Sequence, residues 1–194
     1  MNDMYESILS NIQKYVSLTE SEQSQLCEIL QYKTYEKKKI LLREGEICKF
    51  EYYIVKGCMR TFYVNESGVE VTIQFGLEDW WVSDVCSFSE QSPSRLFVEC
   101  LEDCEVLMLT PTTKETLLKT IPKLERYFRL LVQKHMNALQ NRLINTISMS
   151  ATARYLEFIS TYPTVQFRVP QYYIASYLGV SAEFVSKIRK RLAE

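Results

Sequence analysis

The sequence contains a single histidine, and this scarcity limits the chemistry that the chain can perform. A Ser-His-Asp triad or a histidine-rich metal site needs imidazoles close to their partners, yet His135 stands alone among 194 residues. No phosphate-cradling GxxxxGK[ST] loop is present either. We therefore predict that the protein is not an enzyme and that it holds no metal and no cofactor.

Long apolar runs and closely paired cysteines are also missing. No run approaches the roughly 18 apolar residues that a membrane span needs, and the first residues lack a basic segment followed by an apolar one. These absences predict a cytoplasmic protein without a membrane partner. Without a CxxC pair to indicate zinc or redox chemistry, we interpret the cysteines as reduced core residues, although a redox switch between Cys100 and Cys104 stays open. The six cysteines are Cys27, Cys48, Cys58, Cys86, Cys100 and Cys104.

The pattern of apolar residues changes twice along the chain, from helical spacing to short strand-like runs and back, which predicts an α+β protein. The first thirty residues have apolar positions at helical spacing, and Thr19 to Glu22 resembles a capping box. From Tyr32 to about Thr110, short β-branched and aromatic runs alternate with turns. Seven or so such runs are typical of an antiparallel β-roll or jelly roll. Helical spacing returns after Pro111.

The longest helical stretch runs from Lys123 to about Ile147 without glycine or proline, directly after Pro122. Apolar residues recur in it every three or four positions, which indicates the narrow seam of a coiled-coil dimer. A helix that packs only on its own β-domain is the alternative. Ser148 interrupts the pattern, and we expect a hinge there. The predicted seam consists of Leu124, Phe128, Leu131, His135, Leu139, Leu143 and Ile147.

The segment from Pro170 to Glu194, PQYYIASYLGVSAEFVSKIRKRLAE, matches a helix-turn-helix position by position. The motif needs a small residue where the two helices cross, and Ala175 supplies it. Gly179 follows four residues later, where the turn requires a backbone conformation that glycine adopts without steric cost. Ser181 can cap the second helix, and Pro170 can open the first. This combination predicts DNA binding.

The charge of the chain is concentrated at this end. Residues 166–194 carry five basic and two acidic residues, a net charge of +3, although the whole chain has a net charge of −1. On the second helix, Glu183, Ser186 and Lys187 should face outward and contact bases, since carboxylates accept from cytosine and lysines donate to guanine. The remaining DNA contacts, mainly to phosphates, are expected from Ser181, Arg189, Lys190 and Arg191.

Several of these stretches together resemble the Crp/Fnr family of regulators, and the likeness covers nearly the whole chain. They are KILLREGE, YYIVKGCMRTFY, the strands up to CEVLMLT, the long helix and the helix-turn-helix. The resemblance implies a homodimer that binds a palindromic operator in double-stranded DNA, with RNA polymerase as a further expected partner. It also implies a cyclic-nucleotide-binding-like sensor over 1–122, a dimerisation helix over 123–147 and a DNA-binding domain over 148–194.

Two features of the DNA-binding end depart from the catabolite activator branch of the family. That branch presents an R-E-x-x-x-R pattern, which falls here on Ala182, Glu183 and Lys187, so the first arginine is missing. No β-hairpin wing follows the recognition helix before Glu194. We therefore expect a different operator. A ligand-binding or protein-interaction module that has lost DNA binding is the alternative function, and weak salt dependence of its binding would distinguish it.

The sensor departs further from the family pattern. Members that bind cyclic nucleotides hold the phosphate and ribose with a Gly-Glu pair and an Arg-Ser or Arg-Thr pair. These positions hold Ser83 with Asp84 and Ser94 with Arg95 in this chain. We therefore predict that the effector is not cyclic AMP and leave an unknown small-molecule effector open. Trp81 and the aromatic residues near it are candidates to line a pocket for a planar ligand.

Overall fold

The computed structural model describes residues 3–193, in which helices precede and follow the strands along the chain. A 3-10 turn (Asp3–Tyr5) leads into helices α1 (Glu6–Gln13) and α2 (Glu20–Ile29). The predicted capping box is confirmed, because the Thr19 side chain accepts from the backbone of Glu22 and the Glu22 side chain accepts from the backbone of Thr19. The strands are β1 (Gln31–Tyr35), β2 (Ile40–Leu42), β3 (Glu51–Lys56), β4 (Met59–Val64), β5 (Glu70–Gly76), β6 (Trp81–Val82), β7 (Phe97–Cys100) and β8 (Cys104–Leu109).

These strands form two four-stranded sheets, which confirms the predicted antiparallel β-roll. One sheet has the order β1-β8-β3-β6, and the other has the order β2-β7-β4-β5. In the first sheet, β8 pairs antiparallel with both β1 and β3, so that Leu107 lies opposite Tyr32 on one side and Tyr53 on the other. Strand β6 was not predicted, because two residues are too few to show an alternation of apolar and polar side chains.

The roll encloses an apolar core that leaves little room for additional atoms. Ile54, Val98 and Val106 are fully buried in it. Gly76 lies in strand β5 without positive φ, and a Cβ atom at this position would clash with the Val82 side chain. The glycine is therefore needed for space and not for a turn.

A buried ion pair joins two neighbouring strands of the second sheet. Arg60 on β4 and Glu99 on β7 are both almost inaccessible to solvent. The Arg60 Nε and Nη2 atoms lie 2.7 Å and 2.6 Å from Glu99 Oε2. Charged groups are rarely buried in this way unless they are paired. The sequence analysis did not single out either residue.

A second apolar cluster covers the outer side of the roll and includes the start of the long helix α5 (Lys123–Ser148). Leu124 is fully buried in it, and Phe128 and Leu131 pack against it. Tyr127 donates a hydrogen bond of 2.9 Å to Asn11 Oδ1, and its hydroxyl accepts one of 3.1 Å from Trp81. The predicted dimer seam is therefore wrong in its first part, because those residues are used within the chain.

The cysteines follow the prediction of a reduced core only in part. All six are free, and Cys48, Cys58, Cys100 and Cys104 are buried. Cys86 is exposed, because it lies on the outer side of the first turn of α3 (Val85–Glu90). A hydrogen bond between the thiols of Cys100 and Cys104 raises the pKa of Cys100 and lowers that of Cys104.

Helices dominate the rest of the chain. They are α4 (Pro111–Thr120), α5, α6 (Ala151–Thr161), α7 (Val165–Arg168), α8 (Gln171–Leu178) and α9 (Ala182–Ala193). Val165 is fully buried and anchors the short helix α7. The α5 helix ends at Ser148, as expected, and Ser150 caps α6 through Ala153 N. Among residues 3–193, none of the helices has the length and apolar character needed to cross a bilayer.

The chain divides into two compact units. One consists of the residues up to Thr61 together with Phe75–Gln133, and the other consists of Phe62–Gln74 with the residues from Lys134 onward. The second unit thus contains the hairpin between β4 and β5 as well as the C-terminal helices.

Candidate functional site

Helices α8 and α9 of the second unit form the predicted helix-turn-helix. Ala175 on α8 is buried, which allows α9 to cross close to its backbone. Gly179 ends α8 in the left-handed conformation with φ of 67°, as the motif requires. The Ser181 hydroxyl then accepts a hydrogen bond of 3.2 Å from Phe184 N and caps α9. Each of these three residues therefore has the structural role that the sequence predicted.

The two helices pack against an apolar core in the second unit. Val185 is fully buried and Ile188 nearly so, which fixes the side of α9 that faces inward. The opposite side of the helix must consequently face solvent. The core of this region consists of Tyr155, Phe158, Val165, Val169, Ile174, Ala175, Leu178, Val185 and Ile188.

The predicted DNA-contacting residues lie on the outer side of α9. Glu183, Ser186 and Lys187 are exposed, which suits contacts with base edges. Hydrogen bonds from its own backbone amide and from the Ser181 hydroxyl, together with the Lys187 charge, keep the pKa of Glu183 below its usual value. It is therefore an acceptor at neutral pH. Ser181, Lys190 and Arg191 are also exposed, and Arg189 is half-buried.

The residues that replace the cyclic-nucleotide motif lie around the start of α3 in the first unit. Asp84 precedes this helix, and its Oδ1 atom accepts hydrogen bonds of 3.1 Å from Cys86 N and 3.2 Å from Ser87 N. Its Oδ2 atom accepts one of 2.7 Å from the buried Ser94 hydroxyl. Asp84 and Ser94 are thus brought together, and the carboxylate of Asp84 is bound by the chain itself.

This arrangement does not fit a cyclic phosphate. Backbone amides at a helix start can bind an anion, but the amides of Cys86 and Ser87 already bind a carboxylate. A phosphate placed there would meet a second negative charge and would have to displace it. The buried hydroxyl of Ser94 is also occupied, because it bonds to both Asp84 and Leu96.

The other predicted effector-pocket residues differ from this pair in burial and packing. Trp81 lies in the second apolar cluster, between two other aromatic residues. The centre of its ring is 5.4 Å from that of Tyr53 and 5.5 Å from that of Phe128. Arg95 is exposed and Ser83 is half-buried. Of the five candidates, only Asp84 and Ser94 are therefore joined by a direct hydrogen bond. Within residues 3–193, no group of three or more His, Cys, Asp or Glu side chains is arranged to hold a metal ion.

The second half of α5 presents an apolar stripe to solvent. It consists of Val132, Met136, Leu139, Leu143 and Ile147, and the exposed fraction reaches 78% at Ile147. The spacing of three and four residues places these side chains on one face of the helix. The predicted seam residues Leu139, Leu143 and Ile147 belong to the stripe, whereas His135 is half-buried. Burial in the surrounding protein lowers the pKa of His135.

The sequence analysis missed two polar residues of the second unit, Arg142 on α5 and Ser176 on α8. Both bond to the backbone of strand β5, and Arg142 also bonds to the Tyr177 carbonyl. The arginine is the one charged residue in the stretch NALQNRLINTIS, and this was its only signal in the sequence. Ser176 gave none, because its partners Glu70 and Thr72 lie more than 100 positions earlier in the chain.

Comparisons with known proteins agree with this architecture. Residues 32–120 match the model of the cyclic nucleotide-binding domain. The cAMP-activated global transcriptional regulator CRP of Escherichia coli O6:H1 is 21% identical over 170 residues, which are 82% of this chain and 81% of that protein. The anaerobic regulatory protein of Pasteurella multocida is 26% identical over 188 residues, which are 91% of this chain and 68% of that protein.

A solved structure has the same fold over most of its length. FixK2 from Bradyrhizobium japonicum superposes with a TM-score of 0.74 at 17% identity, and the match covers 84% of each chain. The likeness thus extends beyond the β-roll into the C-terminal helices. Together with the helix-turn-helix, the domain match in the roll and the two relatives, it shows that the chain is similar to the Crp/Fnr family of DNA-binding transcription regulators.

Proposed function

We propose that this regulator acts as a homodimer that binds a palindromic DNA site through α9, and that its effector is not cyclic AMP. The observation that carries the proposal is the outer side of α9, where Glu183, Ser186 and Lys187 are exposed beside a basic tail. Two copies joined through α5 would present two such helices. A two-fold symmetric dimer binds half-sites about one helical turn apart.

The DNA contacts divide into two kinds, and this division can be tested. Lys187 lies in the middle of the outer side of α9 and is assigned to a base, whereas Lys190 lies one turn further and is assigned to a phosphate. The Lys187→Ala variant should accept more sequences at one or two positions of the site. The Lys190→Ala variant should bind all sequences more weakly by a similar factor and reduce the salt dependence of binding.

Selection of duplexes from a random pool, at two salt concentrations, measures both effects. Enrichment of a palindrome by the unmodified protein, altered by Lys187→Ala and preserved by Lys190→Ala, is the expected result. Equal losses from both variants on every duplex would contradict the assignment. Failure of the unmodified protein to enrich any duplex would instead favour the alternative function, an interaction module that has lost DNA binding.

Cyclic AMP should leave the protein unchanged, because the carboxylate of Asp84 occupies the amides that a phosphate would need. A ligand present at about 100 times its Kd stabilises a folded protein by roughly 2.7 kcal/mol. About 1 mM cyclic AMP should therefore reveal any Kd near or below about 10 µM as a higher unfolding temperature. The Escherichia coli regulator CRP provides the positive control. A midpoint that rises with nucleotide concentration would contradict this prediction.

The domain boundaries at 122 and 147 and the hinge near Ser148 belong to the same proposal. The sensor, the dimerisation helix and the DNA-binding helices follow one another along the chain in the order that such a regulator needs. RNA polymerase is its expected protein partner, and the cytoplasm is its expected location.

A further inference from the structure

We propose that Arg142 and Ser176 form a clamp that fixes the direction of the recognition helix relative to the dimerisation helix, so that a dimer accepts one half-site spacing. The Arg142 clamp consists of these two side chains, Tyr177 and the backbone of residues 70–73. All of these groups belong to the second compact unit. The inference rests on the proposed function, since spacing matters only to a dimer that binds two half-sites.

Ser176 attaches α8 to the edge of a sheet. Strand β5 is an edge strand, so one side of its backbone has no neighbouring strand. The Ser176 hydroxyl donates a hydrogen bond of 2.7 Å to the carbonyl of Glu70 and accepts one of 2.9 Å from Thr72 N. One side chain of the helix-turn-helix therefore bonds to a donor and an acceptor of the strand edge, which fixes the position of α8 along the strand.

Arg142 attaches α5 to both of these elements. Its guanidinium donates to the carbonyls of Ile73 and Thr72, the latter over 3.3 Å, and to the carbonyl of Tyr177 over 2.8 Å. It also lies 4.0 Å from the centre of the Tyr177 ring, within the range of a cation–π interaction. The fixed fork of an arginine suits several carbonyls at once, and the charged ammonium of a lysine does not reproduce it.

The position of the clamp in the chain explains what it can do. Between Arg142 and Tyr177 the backbone passes the interruption at Met149 and Ser150, where α5 has ended and α6 has not begun. Without a contact across this interruption, rotations about a few backbone bonds would swing the helix-turn-helix relative to α5. The clamp bridges the interruption with side-chain contacts and removes that freedom.

The clamp leaves the DNA-contacting face accessible. Glu183, Ser186 and Lys187 are exposed in the structure in which the clamp makes all of these hydrogen bonds. It therefore positions the recognition helix and does not block it. In a dimer, a fixed direction makes the two helices match half-sites at one separation, and the second half-site then binds with a high effective concentration.

The test compares binding to a single half-site with binding to the selected palindrome and to versions of it with one base pair added or removed. For Arg142→Ala we expect half-site affinity within about two-fold of the unmodified protein, and palindrome affinity lower by about ten-fold or more, because the gain from bivalent binding depends on geometry. The preference for one spacing should also weaken. Arg142→Lys should restore little of it, because it keeps the charge and loses the fork.

Two further variants keep the test decisive. Arg126→Ala removes an exposed arginine from the same helix and should behave like the unmodified protein. Ser176→Ala should change the spacing preference in the same direction as Arg142→Ala, and its small alteration preserves the helix. Equal losses on half-site and palindrome, or an unchanged spacing preference in both clamp variants, would overturn the inference. If the unmodified protein selects no palindrome, the proposed function itself fails.

Discussion

Replacement of Arg60 by methionine should lower the free energy of unfolding by about 3–5 kcal/mol, because it leaves the charge of Glu99 buried without a partner. The two side chains are 2% and 10% exposed, so water cannot replace the lost hydrogen bonds. The double variant Arg60→Met with Glu99→Leu should regain most of the loss, since apolar residues of similar size often replace a buried ion pair at little cost. Denaturant unfolding of the three proteins measures this difference.

An exposed ion pair provides the matched control. Lys119 and Glu115 lie 3.1 Å apart on α4, one turn from each other, and both side chains are more than half exposed. Lys119→Met should change the free energy of unfolding by about 0.5 kcal/mol or less, because solvent screens such pairs. If Arg60→Met has an effect as small as this one, or if the double variant is as unstable as the single variant, then the burial of the charge does not determine stability.

Replacement of Leu143 by glutamate should convert the protein to a monomer and lower its affinity for the palindrome by about 100-fold or more, the range that bivalent binding usually contributes. Leu143 lies within the exposed apolar stripe of α5 and is 61% exposed in the single chain. In a two-fold symmetric dimer each substitution occurs twice, so two carboxylates would be buried near each other. Analytical ultracentrifugation and titration of the palindrome measure the two effects.

Asn141→Glu adds the same charge on the opposite side of the same helix, where the residue is exposed and the stripe is absent. This variant should remain a dimer and bind the palindrome as the unmodified protein does. A Leu143→Glu protein that still sediments as a dimer would show that the stripe is not the interface. Half-site affinity should be similar in all three proteins, because α9 is unchanged.

The DNA-binding end was predictable from sequence because its signals are local. Gly179 and Ser181 each have a role set by residues within five positions of them, and Ala175 is crossed by a helix that begins only seven positions later, at Ala182. The strand runs of the roll were predictable for a similar reason, since alternation and turn residues are also local patterns.

The missed features depend on contacts between residues that are distant in the chain. Arg60 and Glu99 are 39 positions apart, and Arg142 bonds to strand residues about 70 positions earlier. The early part of the predicted seam failed for the same reason. Leu124 has the spacing of a dimer residue, but only the fold shows that α1 and α2 of the same chain already cover it. A pattern reveals which face is apolar and does not reveal what covers it.

The Asp84 carboxylate limits what can bind to the amides at the start of α3. This anion is attached to the chain immediately before the amides that bind it, so its local concentration does not depend on the composition of the cell. An external anion would have to compete with this carboxylate for the two amides. Because the carboxylate is tethered next to them, its effective concentration there is very high. The occupancy of these amides is therefore decided when the chain folds.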